Sequence, residues 1–197
     1  MTVDRRHFLH LAGLTTLGGA AAAVGLGAGL AGRRGQSPHT FAKPIRFPPP
    51  LQEGDLLGIT SPSAGVKAAL RPRMDFAYET LNALGYRYRE GCCLWGEGLL
   101  SAPAAERSAE LQGMLFDPAI AAVFPPDGGE LLIDLLPWLD FAALAEAPPK
   151  WVLGYSDLST FMLPYTLLTG IATLSGPNLW ECPVNPTAPG LAHWQEV

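Results

Sequence analysis

The residues of this chain that are best suited to chemistry lie where an apolar run over residues 151–153 gives way to Gly154, Tyr155, Ser156 and Asp157. A serine at a tight turn between a strand and a helix has its hydroxyl pushed out of the fold, and the first amides of the helix can stabilise a developing oxyanion. Serine also caps helices well, so the same turn is compatible with a purely structural role. The pattern makes Ser156 a candidate nucleophile, with a simple turn as the alternative.

The segments around this turn alternate between strand and helix patterns. Apolar or alternating runs predict strands over residues 55–61, 86–90, 119–124, 150–154 and 171–174. Helical spacing predicts helices over residues 71–84, 104–116, 130–139 and 158–168. Such alternation predicts an α/β fold with a parallel sheet covered by helices on both faces. The strand over 86–90 alternates and is expected at an edge, and Arg107 is expected on the polar face of its helix.

Several polar or glycine-rich tips follow the predicted strands. In a parallel sheet these tips meet at the carboxyl edge, where ligands bind. Adjacent glycines allow close backbone approach, so the amide of Gly128 or Gly129, with that of Asp157, is expected to form an oxyanion hole facing Ser156. The side chains at the other tips are candidates for substrate binding, namely Ser61, Ser63 and Asn178. The alternative is that these loops carry Gly, Pro and polar residues only for their turns.

The first 32 residues have the layout of an export signal. Arg5 and Arg6 precede an almost charge-free stretch over residues 11–32, and the arginine pair resembles a bacterial twin-arginine signal. We therefore expect contact with the twin-arginine translocase, a location in the periplasm or cell envelope, and cleavage near Ala31. A retained N-terminal membrane anchor is the alternative. Residues 33–54 are rich in proline and are expected to form an extended linker.

Composition excludes several other classes. The three cysteines, two of them adjacent, form neither a disulfide scaffold nor a Cys-x-x-Cys motif, and only two histidines follow the signal, so no zinc site is expected. A net charge of −5 without a basic stripe argues against nucleic-acid binding. The chain also lacks a cysteine nucleophile at a strand end and a phosphate-cradling loop before the first helix, which disfavours a glutaminase-like or flavodoxin-like activity.

Taken together, the motifs over about residues 47–180 resemble the LD-carboxypeptidase family of serine peptidases, which is related to microcin-C-immunity peptidases. The resemblance lies in their order: Gly-Asp-x-x-Gly-Ile-x-Ser-Pro-Ser at 54–63, Gly-Tyr at 85–86, Asp-Pro at 117–118, Gly-Gly at 128–129, Leu-Leu-Pro-x-Leu-Asp at 135–140, Gly-Tyr-Ser-Asp at 154–157, and Thr-Gly-Ile at 169–171 with Gly-Pro at 176–177. The implied fold is of Rossmann or flavodoxin type over residues 55–180, like the N-terminal domain of class I glutamine amidotransferases.

The resemblance also implies an activity and roles for residues. Ser156 takes the position of the nucleophile of a Ser-His-Glu triad, and Asp157 lends its backbone amide rather than its carboxylate. Family members remove the terminal D-alanine from murein tetrapeptides in peptidoglycan recycling, without metal or organic cofactor. The expected partner is therefore a muropeptide or another peptide. The alternative is a catalytically inactive, exported domain that only binds such peptides.

Two departures from the family pattern bear on this expectation. Asp127 makes the glycine loop acidic where the family usually carries arginine, which puts substrate contacts there in doubt. Residues 181–197 look like a linker toward a C-terminal domain, in which the family keeps the glutamate and histidine of its triad. We expect a shortened gene product, and we do not expect His193 to replace the histidine of the triad. Apolar surface that normally meets that domain would favour self-association, in its simplest form a homodimer.

Overall fold

The computed structural model describes residues 44–184, which lie within the unit Thr40–Val197. The predicted export signal over residues 1–32 lies outside the described residues, and so does His193, which was considered above as a replacement base. Among the helices of residues 44–184, none combines the length and apolar character needed to cross a bilayer.

The described residues are built around a five-stranded sheet in which all paired strands are parallel. The strands are β1 (Leu56–Ile59), β2 (Arg87–Glu90), β3 (Ile120–Val123), β4 (Trp151–Gly154) and β5 (Leu174–Ser175), in the order β2-β1-β3-β4-β5. The strand expected at an edge, β2, lies at one. The strand order reverses between β1 and β3, which opens the crevice where doubly wound sheets bind their ligands.

Helices cover both faces of this sheet, which confirms the predicted fold class. The α-helices are α1 (Arg71–Ala83), α2 (Ala104–Phe116), α3 (Phe141–Glu146) and α4 (Ser159–Thr169). Short 3-10 helices span Ala68–Leu70, Leu132–Trp138, Ser156–Leu158 and Leu179–Val184. Residues of α1, with Leu179 and Trp180, share one buried apolar cluster with the strands, while the other three α-helices and the segment Leu132–Trp138 form a second.

Two predicted elements need correction, and one helix was missed. The segment expected as an α-helix over 130–139 is the 3-10 helix Leu132–Trp138, because Pro137 lacks an amide and disfavours α geometry at the preceding residue. The strand expected over 171–174 is displaced to Leu174–Ser175, and Ile171 instead forms an isolated bridge with Arg46. The six-residue helix α3 was not predicted; it begins where the Asp140 side chain accepts a hydrogen bond from the amide of Ala143 at 2.9 Å.

Helix α4 leaves part of its apolar surface uncovered. Leu163, Leu167 and Leu168 are 63%, 50% and 54% exposed. Such a surface is suited to association, and the expected self-association stays a prediction.

Candidate active site

Ser156 occupies a strained turn at the carboxyl end of β4. It is the first residue of the 3-10 helix Ser156–Leu158, its side chain is exposed, and its φ is 62°. Among the described residues it is the only non-glycine residue with a positive φ. That conformation costs an ordinary residue roughly 1–2 kcal/mol, and strained residues of this kind cluster at functional sites. The backbone therefore turns sharply at the residue whose hydroxyl is the candidate nucleophile.

The glycine loop after β3 packs directly against this serine. A Cβ atom on Gly128 would lie 3.2 Å from the Cβ of Ser156 and 3.3 Å from its Oγ. Gly129 has a φ of 151°, and a Cβ on it would overlap the hydroxyl of Ser63. Gly129 therefore requires glycine, while at Gly128 a larger residue would fit only if Ser156 shifted by a few tenths of an ångström.

Of the two predicted glycine amides, that of Gly129 is the better placed as an oxyanion donor. The Gly128 amide lies near the Asp127 carboxylate and lowers the pKa of that group. The Gly128 carbonyl accepts the amide of Ala64 at 3.3 Å, and because the peptide bond is trans, the N–H of Gly129 points the opposite way. No hydrogen-bond acceptor for that N–H lies within residues 44–184.

The carboxylate of Asp157, the residue after the serine, accepts hydrogen bonds from other residues of the fold. Its Oδ2 accepts the Ser63 hydroxyl at 2.5 Å and the Leu132 amide at 2.9 Å, and its Oδ1 accepts the Thr160 hydroxyl at 3.3 Å. Its own amide lies in the first turn of a helix, where backbone N–H groups lack intrahelical partners. The geometry thus suits a role through the amide, and that role stays a prediction.

The three candidate substrate-binding residues are buried and bonded to the protein itself. Ser61 donates its hydroxyl to the carbonyl of Leu94 at 3.1 Å, Ser63 donates to Asp157, and Asn178 accepts the Tyr155 amide at 3.2 Å. Their exposed fractions are 0%, 0% and 1%. In the described structure these side chains hold the loops around Ser156, and substrate contact through them remains a prediction.

An acidic cluster lies beside the serine turn. Burial raises the pKa of Asp127, and the Glu181 carboxylate adds to that rise, while the Gly128 amide and the Asn178 side chain oppose it. The Tyr155 hydroxyl donates to Glu181 Oε1 at 2.8 Å, which raises the pKa of the phenol. The structure therefore places a second carboxylate, that of Glu181 from the segment after β5, near Asp127.

One residue that sequence reasoning placed wrongly belongs to this region. Arg107 was expected on the polar face of α2, but its side chain is fully buried at 0% exposure. Its guanidinium donates to the carbonyls of Pro62 at 2.6 Å, Ala102 at 2.8 Å and Leu131 at 3.4 Å. The available signal was its spacing, since Arg107 lies four residues before the buried Leu111 and so shares its side of the helix.

Other catalytic groups are scarce in the described part of the chain. None of the four histidines falls between residues 44 and 184. In that range no cluster of three or more His, Cys, Asp or Glu side chains is placed to hold a metal ion. The described residues thus assemble a strained serine and free backbone amides, and an imidazole base would have to come from outside them.

Comparison with known proteins agrees with this arrangement. The family model of the LD-carboxypeptidase N-terminal domain matches residues 57–176. A predicted carboxypeptidase of Vibrio cholerae is 35% identical over 131 residues, covering 66% of this chain and 39% of that protein. The microcin C7 self-immunity protein MccF of Escherichia coli is 30% identical over 131 residues, covering 66% of this chain and 38% of that protein. The chain thus spans about two fifths of the length of these relatives.

Solved structures show the same fold. A structure of the microcin C7 self-immunity protein MccF superposes with a TM-score of 0.69 at 25% identity, covering 76% of this chain and 45% of that chain. The muramoyltetrapeptide carboxypeptidase from Oxalobacter formigenes superposes with a TM-score of 0.60 at 27% identity, covering 72% of this chain and 47% of that one.

Proposed function

The chain belongs to the LD-carboxypeptidase family, a family of serine carboxypeptidase-like hydrolases, and we propose that it supplies the nucleophile half of such a peptidase, with Ser156 as nucleophile. The observation that carries the proposal is the φ of 62° at Ser156, on an exposed turn against Gly128. A structural turn would be satisfied by glycine without strain. Strain at a serine is expected where its hydroxyl must be presented to a substrate.

In the proposed reaction, Ser156 Oγ attacks the carbonyl carbon of the scissile amide while a base removes its proton. The amides of Gly129 and Asp157 donate to the oxygen that becomes negative. The proton then passes to the leaving amine, the acyl-serine forms, and water hydrolyses it to regenerate the hydroxyl. The Gly128 amide, the other predicted donor, lies near the Asp127 carboxylate instead.

The base in this scheme is a histidine from outside residues 44–184, oriented by a glutamate, as the family resemblance implies. A serine without such a base has a pKa far above neutrality and reacts slowly. If a histidine serves, the rate of Ser156 modification should rise with pH around the ordinary imidazole pKa of about 6.5. Replacement of His193 by alanine then tests that residue, since the rise persists if the base comes from elsewhere.

For the substrate, we propose a peptide ending in D-alanine, a murein tetrapeptide in an exported location. This is supported by the fold shared with the muramoyltetrapeptide carboxypeptidase of Oxalobacter formigenes and by the arginine pair at Arg5 and Arg6. The related MccF protein has been solved in complex with aspartyl sulfamoyl adenosine, so a peptide joined to a nucleotide is the substrate class to compare. Release of D-alanine from the tetrapeptide, against release of aspartate from an aspartyl-nucleotide conjugate, distinguishes the two.

The nucleophile itself is tested with a fluorophosphonate probe on the full chain. We expect mass spectrometry to find the label on Ser156 in the natural chain and none in Ser156→Ala. Ser159→Ala is the matched control, because Ser159 is also exposed and lies three residues away at the start of α4. Absence of label on Ser156, together with retained muropeptide binding in calorimetry, would instead favour the exported peptide-binding domain.

A further inference from the structure

Two loops next to the serine are each held from both sides by the same pair of charged groups. The carbonyls of Pro62 and Leu131 both accept hydrogen bonds from Nη1 of Arg107, at 2.6 and 3.4 Å. The next residue of each loop, Ser63 through its hydroxyl and Leu132 through its amide, donates to Oδ2 of Asp157, at 2.5 and 2.9 Å. One guanidinium nitrogen of Arg107 and one carboxylate oxygen of Asp157 thus each bond to both loops. We call these four hydrogen bonds the bracket.

The bracket also fixes the position of the glycine loop, residues 127–129, because that loop and Leu131 belong to the same connection after β3. Gly129 lies two residues before Leu131, and it packs so closely on Ser63 that a Cβ atom would overlap the hydroxyl. The other end of the bracket is Asp157, whose amide is the second predicted oxyanion donor. The bracket therefore sets the distance between the two amides that would share the oxyanion.

Burying the Arg107 guanidinium at this position lowers the stability of the fold. It is fully buried, no carboxylate lies within ion-pair distance of it among residues 44–184, and its Nη2 finds no hydrogen-bond partner there. Burial lowers the pKa of the guanidinium, and Asp134 is the foremost of the anionic groups that oppose this. Burying a cation without a paired anion costs stability. A planar guanidinium, however, holds its N–H donors in one rigid plane and so fixes the angles between the carbonyls it bonds, whereas the donors of an ammonium rotate freely.

We infer that Arg107 is a positioning residue for the oxyanion hole, acting through the carbonyls of Pro62 and Leu131 to hold the Gly129 amide against Ser156. The inference rests on the proposed function of Ser156 for its catalytic meaning, while the bracket itself can be tested separately. Its buried positive charge also favours negative charge developing nearby. Arg107 needs no contact with substrate for either effect.

The test compares Arg107→Lys with the natural chain in two measurements. In Arg107→Lys the charge stays, but the planar guanidinium is lost, whose Nη1 bonds to both loops while its Nε is held by the carbonyl of Ala102. We expect the limiting rate of Ser156 modification by a fluorophosphonate to fall at least about tenfold with an unchanged binding constant for the probe, since a mispositioned oxyanion donor affects the transition state. A purely structural role would instead lower only the fraction of protein that can be labelled. Lys150→Met, which removes a buried cation at the other end of the sheet, is the control and should keep the limiting rate.

Amide hydrogen exchange separates this inference from the proposed function. We expect faster exchange in Arg107→Lys at residues 61–65 and 127–132 together, with β3 and β4 unchanged. If the natural chain is not labelled at all, the proposed function fails, and the exchange data alone decide whether Arg107 holds the two loops. A wild-type limiting rate in Arg107→Lys, or unchanged exchange in both loops, overturns the inference. Should Arg107→Lys fail to fold, Ser63→Ala removes one bond of the same bracket, and it must show the same changes to a smaller extent.

Discussion

The two ends of the sheet use the same device, a buried cation that hydrogen-bonds to backbone carbonyls, in different surroundings. At the amino end, Lys150 Nζ donates to the carbonyls of Asp117 at 2.6 Å and Ile120 at 2.8 Å, which joins the starts of β3 and β4. At the carboxyl end, Arg107 joins the loops that follow β1 and β3. Only at the carboxyl end is the cation combined with a strained serine and close-packed glycines.

The two ends of the sheet also differ in how the fold shifts the pKa of an aspartate there. The pKa of Asp117, at the amino end, is lowered first by its hydrogen bond from Arg89 and then by the Ala119 amide. The pKa of Asp127, at the carboxyl end, is raised by burial. Ionisation therefore favours the fold at one end and opposes it at the other. The positive φ of Ser156 and the raised pKa of Asp127 lie at the end that carries the candidate site, as expected where a protein keeps strained groups for function.

The largest expected effect comes from filling the space at the glycine loop. Gly129→Ala places a Cβ on the Ser63 hydroxyl and an alanine at a φ of 151°. We expect the loop to shift and the limiting rate of Ser156 modification to fall by about 100-fold or more, the scale of losing an oxyanion donor. Stopped-flow or timed labelling with a fluorophosphonate measures the rate.

Gly113→Ala is the matched control for that variant. Gly113 lies inside α2, and a Cβ there would meet no atom within 4 Å. Alanine in an open helical position should stabilise the chain by roughly 0.5–1 kcal/mol and leave labelling unchanged. Equal labelling rates in Gly129→Ala and the natural chain would show that the glycine loop takes no part in the reaction of Ser156.

The sequence was sufficient for elements with strong periodicity and insufficient for the contacts between them. The span of α2 was predicted as 104–116 and is observed as Ala104–Phe116, because its apolar spacing is regular. The 3-10 geometry of Leu132–Trp138 was missed because the apolar pattern outweighed Pro137 in the prediction. Arg107 was placed on the wrong face by its charge alone, since its carbonyl partners at Pro62 and Leu131 are 45 and 24 residues away.

At the site, residue types identified the turn but not how it is supported. Gly154, Ser156 and the glycine pair carry a local signal, because their conformations limit which residues fit. The bond between Ser63 and Asp157 spans 94 residues and joins two different loops. No local pattern predicts such a bond, so the sequence suggested substrate binding by Ser63, which stays a prediction, and did not reveal that its hydroxyl holds Asp157.

A change at the amino end should affect stability without affecting Ser156. Lys150→Met removes the bonds from Nζ and leaves the carbonyls of Asp117 and Ile120 short of a partner. We expect a loss of about 1–3 kcal/mol in the free energy of unfolding, measured by urea denaturation, because buried unsatisfied carbonyls are costly. The limiting labelling rate of the folded protein should stay that of the natural chain. A parallel fall in that rate would mean that the two ends of the sheet are coupled and that the contrast between them is wrong.

The smallest expected effects are opposite shifts of stability from two aspartates. The pKa of Asp117 is below its ordinary value of 3.8, so its ionised form stabilises the fold above that pH, and this contribution disappears as the pH falls through the lowered pKa. Asp117→Asn should therefore lower the melting temperature at pH 7 and flatten its fall in acid.

The pKa of Asp127 is above 3.8, so the folded state binds the proton more tightly, and the ionised form costs stability above the raised pKa. Asp127→Asn should raise the melting temperature at pH 7, with the difference from the natural chain shrinking as the pH falls below the raised pKa. Melting curves across this pH range measure both variants, and shifts of the same sign would contradict the proposed difference between the two ends of the sheet.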